Sequence, residues 1–363
     1  LTSLTKRIGF SAVAAFGTVA LLAACGTAPS AQTTATATKS SYLPCVVGDV
    51  GGFNDHSFNQ LSLQGVEAAA TKIGSSAKKV QSQSSTDYAP AFASLVAQKC
   101  DVIVAAGFQF PAALSASAKA NPKIDYVMID DNSLKLPNVK DVVFQTSEAA
   151  FLGGYAAASY AASVSKTPKV ATWGGGKYPT VTTYMDGIAD GVAYYNQQKS
   201  AKVGMLGWDV TKQNGSFTGN FTDQNKAKQL TAGFLDQGAN VVIPVAGSLY
   251  QGAAKAITAA KSSSVIEGVD ADIYLTDPTV KSIMLTSILK KVDVAARDAV
   301  EQAAGSKTFD NSTYIGTLKN GGLGLAPFHD FESKVPSTLA GELTKIQSGI
   351  EDGSITVTSP AKY

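Results

Sequence analysis

The 363-residue chain has little of what most metal-binding and catalytic centres require: two histidines, His56 and His329, and three cysteines, Cys25, Cys45 and Cys100. Zinc and haem sites draw chiefly on those side chains, so neither a metal nor a cofactor is expected. Charge of one sign is scarce as well. Thirty basic residues stand against 28 acidic ones, and no basic block or aromatic RNA-binding signature occurs, which argues against a nucleic-acid partner. There is no GxSxG elbow and no phosphate-cradling GxxxxGK[ST] loop. Ser287 to Lys290 and Ser163 to Lys166 have the SxxK spacing of penicillin-interacting serine hydrolases, but the SDN and KTG companions are missing. His56 has no Ser or Cys placed in a recognised order, so the chain is not expected to be an enzyme.

What is present begins at the amino terminus. Lys6 and Arg7 precede an apolar run that ends in Leu21-Leu22-Ala23-Ala24-Cys25, the order of parts in a lipoprotein export signal. Residues 1–24 would be removed and Cys25 would carry lipid, holding the protein on the extracytoplasmic face of the cell membrane. A transmembrane anchor is the alternative, but the run is only about seventeen residues long and is interrupted by Gly9, Ser11 and Gly17, near the lower limit for spanning. The segment up to residue 41 is small and polar, too poor in large apolar groups to form a core, and is expected to be a flexible tether spanning about 20 to 25 Å.

From residue 45 onward, short Val- and Ile-rich runs alternate with Ala-rich segments of helical length, the pattern of βα repeats around buried parallel sheets. Strands are expected at 45–50, 79–84, 101–107, 125–130 and 141–146, with helices at 57–73, 88–98 and 111–120. A second series has a helix at 148–164, strands at 169–174, 202–208, 240–246, 265–269 and 283–288, and helices at 180–198, 223–237, 250–262 and 291–304. A last helix is expected at 336–350. The length exceeds what one core usually serves. The fold class is therefore α/β, two doubly wound parallel-sheet lobes joined by a multi-crossing hinge. Residues 42–147 plus about 275–318 would form the first lobe, and 148–274 plus about 319–363 the second. The crossings are expected near 146–147, 270–275 and 318–322. Cys45 and Cys100 stand at the starts of the first and third strands, neighbours in the commonest doubly wound order, and a disulfide between them is expected; two buried free thiols are the alternative.

In such sheets ligands gather where strands end and loops enter the next helix. The first such loop, residues 49–60, packs glycines, carboxylates, amides and two phenylalanines into twelve positions. Later strand ends carry Gly107-Phe108, Ile129-Asp130-Asp131, Trp173-Gly174-Gly175-Gly176, Gly207-Trp208-Asp209, Val245-Ala246-Gly247 and Gly268-Val269-Asp270. Orienting polar groups beside flat apolar ones describe a small-molecule cleft.

These pieces resemble the basic membrane protein family, purine-nucleoside-binding lipoproteins of ABC importers with the type I periplasmic-binding-protein fold. The resemblance rests on Asn54-Asp55-His56-Ser57-Phe58-Asn59-Gln60 with Gly65 behind it, on the strand ends at 129–131, 173–175, 245–247 and 268–270, and on Ser287-Ile288-Leu289-Lys290. It implies that Phe58 stacks on one face of a base, with Asn54, Asp55 and Asn59 beside it and Asp130 in the pocket. It implies that Gly247, Asp270 and Lys290 approach the sugar or secure the cleft. A second aromatic should come from the other lobe, where Phe221 fits the family spacing and Phe217 is its rival; Trp173 and Tyr178 are further candidates. The partners implied are a nucleoside and an importer permease, the chain acting as a monomer and closing about its hinge.

Each residue also has a plainer role open to it. Phe58 would serve as a helix core residue, Asp130, Asp131 and Asp270 as turn caps, Lys290 as a solvated cation and the glycines as turns. A sugar- or autoinducer-binding lipoprotein of the same fold is the nearest functional alternative, and an adhesin or sensor role stays open.

Overall fold

The computed structural model describes residues 40–361. The expected signal segment 1–24, Cys25 and most of the tether lie outside them. Among the described residues no helix is long and apolar enough to cross a membrane.

The first half of the chain runs β1 (Pro44–Gly48), α1 (Phe58–Lys72), β2 (Lys78–Gln81), α2 (Tyr88–Ala97), β3 (Val102–Ala106), α3 (Pro111–Ala120), β4 (Asp125–Ile129) and β5 (Val139–Phe144). Then come α4 (Thr146–Val164), β6 (Lys169–Gly174), α5 (Pro179–Lys199), β7 (Gly204–Leu206) and a two-residue ribbon, β8 (Trp208–Asp209) with β9 (Asn214–Gly215). The rest is α6 (Gln224–Asp236), β10 (Val241–Val245), α7 (Tyr250–Ala260), β11 (Val265–Asp270), α8 (Ile273–Thr276), β12 (Met284–Lys290), α9 (Val292–Gly305), β13 (Tyr314–Gly316), β14 (Leu323–Leu325) and α10 (Leu339–Asp352).

Two six-stranded sheets result, ordered β13-β5-β4-β3-β1-β2 and β14-β12-β11-β10-β6-β7. Position by position they correspond, β4 to β11 and β5 to β12, although β13 joins its neighbour parallel and β14 antiparallel. The central strands are buried along their whole length, as PCVVG of β1 and VIVAA of β3 illustrate, because helices cover both faces. Cys45 and Cys100 form the expected disulfide, with Cα atoms 6.0 Å apart, tying the start of β1 to the approach to β3.

The expected crossing at 270–275 is corrected. That expectation places β12 in the first lobe, but β12 pairs in parallel with β11 and antiparallel with β14, which makes it part of the second sheet. The chain instead returns at Lys291, where α9 leads back to pack on α1. The outward crossing is at Gln145. Both residues adopt φ −78° and ψ 58°, and each donates its backbone N–H at 2.9 Å to a glycine carbonyl of the third crossing segment, Gln145 to Gly316 and Lys291 to Gly322. In that segment the Asn320 side-chain oxygen accepts from the N–H groups of Thr317 and Gly322, while Glu148 accepts from Leu318. The strands β13 and β14 and the short α8 had no counterpart among the expected elements. At three or four residues each they are too short to show a period, and pairing or packing at the sheet edge supplies their order.

Candidate functional site

Strand ends of both sheets line one cavity, where polar groups stand among flat apolar ones as in small-molecule sites. The loop after β1 reaches it first, and two buried residues organise that loop. One oxygen of Asp55 accepts the N–H groups of Ser57 at 2.9 Å and Gln60 at 3.0 Å; the other accepts the N–H of Asn59 at 2.8 Å and its side-chain amide at 3.1 Å. This carboxylate does the capping at the start of α1 that the Ser57 side chain does not. The Asn59 amide also donates to Asp49 at 2.9 Å, and the Asn59 oxygen accepts the Asp49 N–H at 3.2 Å. Asp55 and Asn59 therefore border the cavity with their polar atoms engaged inside the loop. Asn54, expected beside them, is exposed and does not line the cavity. Asp49 does line it, and burial pushes its carboxyl up to about 6 against the opposing hydrogen bonds from Gly51 and Asn59.

Deeper in, charges cross from lobe to lobe. The Lys290 ammonium, at the end of β12, is 2.6 Å from Asp130 of the first lobe and 3.8 Å from Asp270 of its own. Thr180, in the first turn of α5, donates to the same Asp130 oxygen at 2.9 Å. Asp270 accepts from Tyr184 at 2.9 Å and from Ser57, across the cleft, at 3.1 Å. Burial raises the Asp270 carboxyl, with Lys290 opposing and Asp130 adding to the rise. Asp130 keeps its second oxygen buried with no hydrogen-bond partner among the described residues. Lys290 thus lies fully inside, 4.9 Å from the Phe58 ring centre, and Ser287 faces away, accepting the Ile273 N–H at 3.1 Å. Three residues apart on a strand, the two point to opposite faces and form no SxxK dyad.

The aromatic lining comes from Phe58 and Phe108 of the first lobe and from Tyr184 and Phe221 of the second. A run of three glycines seats the rings of the second lobe. A Cβ on Gly174 would come within 2.9 Å of the Phe217 ring, one on Gly175 within 2.3 Å of Phe221, and one on Gly176 within 2.4 Å of Tyr178. None of the three has positive φ, so close approach and not backbone conformation calls for glycine here. Phe217 is corrected as a stacking candidate: it packs edge-on against Trp208 at 6.0 Å, away from the cavity that Phe221 lines. Trp173 is fully buried in the second lobe, and Asp131 lies outside the cavity, bridging to Val142 while its side chain accepts from Ser133. Gly247 lines the cavity with φ +52°, a left-handed conformation that glycine adopts freely.

Asp49, Ser57, Phe108, Thr180 and Tyr184 border or brace the site without having been singled out as ligand residues. Asp49 and Phe108 both follow the end of a strand, a signal the strand-end rule carries. Thr180 and Tyr184 are four apart on α5, one face of a helix whose start Pro179 marks.

The family model for PnrA-like ABC transporter substrate-binding proteins matches residues 44–356. A relative from Lactococcus lactis subsp. cremoris, described as ABC transporter nucleoside-binding protein BmpA, is 30% identical over 98% of this chain and 99% of its own. An uncharacterized lipoprotein of Pyrococcus furiosus is 28% identical over 77% of this chain and 68% of its own. Among solved structures, an ABC transporter solute-binding protein from Aeropyrum pernix K1 superposes with a TM-score of 0.77 at 26% identity, covering 89% of this chain and 94% of that one.

Proposed function

Because the chain belongs to the family of PnrA-like ABC transporter substrate-binding proteins, we propose that it binds a purine nucleoside in the cavity between its lobes and delivers it to an importer permease. The observation that carries this reading is the composition of one lining: the rings of Phe58 and Phe221 from opposite lobes, together with the carboxylates of Asp130 and Asp270. A flat base gains from aromatic faces on either side, about 0.5 to 1.5 kcal/mol per ring beyond its burial. The free oxygen of Asp130 calls for a hydrogen donor, which a ribose hydroxyl supplies. A ligand without that hydroxyl leaves the oxygen unpaired, so the carboxylates discriminate more sharply than the rings do.

Phosphorylated ligands fit poorly. Asp49, Asp55, Asp130 and Asp270 line the cavity against a single ammonium, Lys290, which is already held by carboxylate. Nucleosides are therefore favoured over nucleotides. Binding draws the lobes together, since ligand touches both only in the closed form. Bonds such as Ser57 to Asp270, Thr180 to Asp130 and Thr276 to the His56 carbonyl then join lobe to lobe. Lipid on Cys25 would keep the protein, as a monomer, beside the permease outside the membrane, in line with the lipoprotein description of the Pyrococcus relative.

Mass spectrometry of ligand released from freshly purified protein tests the proposal, alongside calorimetric titration with purine nucleosides and their 5′-monophosphates. A released nucleoside and heats confined to nucleosides are expected. Release of a sugar, or equal affinity for the monophosphates, would overturn it.

A further inference from the structure

The rings around the cavity continue outward to one that does not line it. Tyr178, 45% exposed, stands with its ring centre 4.6 Å from Phe108 of the other lobe and 6.4 Å from Phe221 of its own, while Phe108 and Phe221 are 5.9 Å apart. Phe108 and Phe221 face the cavity, so Tyr178 lies on their solvent side and ties the two lobes together there. Its backbone is fixed. The Tyr178 carbonyl accepts the N–H groups of Val181 at 2.9 Å and Thr182 at 2.8 Å, holding it at the start of α5. Its ring folds back over Gly176, a space that any Cβ at that position would take.

We propose that Tyr178 is an aromatic clasp, closing the outer side of the cleft against Phe108 and setting how long a bound ligand is retained. An exposed tyrosine needs a reason to leave water for a phenyl ring, and the ring pair supplies it only when the lobes meet. Opening the cleft separates Tyr178 from Phe108 and returns both to solvent, so the pair favours the closed form and slows escape. The clasp adds no group that reads the ligand. It therefore shows in the dissociation rate, and it depends on the ring and not on the hydroxyl. As an account of ligand retention it rests on the site proposed above.

The experiment is stopped-flow measurement with 2-aminopurine riboside, a fluorescent purine nucleoside, on the wild type, Tyr178→Ala, Tyr178→Phe and Gly176→Ala. Loss of one aromatic pair should speed dissociation about three- to tenfold in Tyr178→Ala. Gly176→Ala should do the same, because its methyl displaces the ring, and Tyr178→Phe should match the wild type. Dissociation from Tyr178→Ala at the wild-type rate would overturn the clasp. Should the riboside fail to bind the wild type, the nucleoside assignment fails instead, and spin labels on Lys119→Cys and Lys228→Cys in opposite lobes judge the clasp without ligand. A shift of the label distances toward longer values in Tyr178→Ala supports it; superimposable distributions refute it.

Discussion

Asp130 and Asp270 occupy matching places at the ends of corresponding strands, β4 and β11, and both hold left-handed backbone, φ 67° and 68°, with the Lys290 ammonium reaching toward each. Aspartate tolerates that conformation better than most residues. The repeated geometry aims a carboxylate from each lobe at one buried cation, so the site is an ionic junction between the lobes. Replacing Lys290 by Met should destabilise the protein by about 3–5 kcal/mol at neutral pH, since two buried carboxylates lose their counter-ion. The loss should shrink as the pH falls and the Asp270 carboxyl, which burial raises, takes up a proton. Urea unfolding at pH 7.5 and pH 5 measures both effects; equal losses at the two pH values would contradict the junction.

Glu267, in the middle of β11, is wholly buried with neither carboxyl oxygen hydrogen-bonded among the described residues, and burial pushes it up to about 8. Its folded value exceeds the unfolded one of 4.5. The contribution is thus fully present below pH 4.5 and lost progressively as the pH rises toward 8, on the order of 4 kcal/mol in all. Relative to the wild type, Glu267→Gln should therefore gain stability with each pH unit between 5 and 8. Parallel stability curves for the two proteins over that range would show that Glu267 is ionised when folded.

The Cys45–Cys100 bridge spans a sequence separation of 55 residues. In the chain-entropy account, closing a loop of that size stabilises by about 4 kcal/mol. The double variant Cys45→Ala, Cys100→Ala should melt well below the oxidised wild type, whose own transition should drop on reduction under unfolding conditions. Melting temperatures in the presence and absence of reductant are the check.

Asp49 supplies a pH signature for binding. If its carboxylate accepts an N–H of the base, the ionised form is required, and affinity should hold steady above pH 6 and fall about tenfold per unit below it. Asp49→Asn should bind more weakly at pH 7.5 and lose the pH dependence. Calorimetric titrations between pH 5 and 8 decide this, and an acid limb that persists in Asp49→Asn would assign the titration elsewhere.

The sheets and most helices were legible because buried parallel strands carry unbroken Val and Ile runs and the helices between them are Ala-rich and long. The disulfide followed from the same pattern, since strand order alone brings Cys45 and Cys100 together. What was not legible depends on partners distant in sequence. MLTSILK of β12 reads as a buried strand in either lobe, and only its pairing with β11 decides which. Phe217 and Phe221 are alike in type and four residues apart; their fates differ because one ring lies over Gly174 beside Trp208 and the other over Gly175 at the cavity. Asp55 and Asn59 stand in the most informative loop, yet a sequence cannot say whether a carboxylate faces a ligand or caps its own helix.

The central claim is that a flat base lies between Phe58 and Phe221 while carboxylates hold its ribose. Isothermal titration of the wild type, Phe58→Ala and Asp270→Ala with a purine nucleoside, each variant first shown to be folded by circular dichroism, tests it most directly. Each substitution should weaken binding about thirtyfold or more, roughly 2 kcal/mol. Wild-type affinity in both variants would contradict the account.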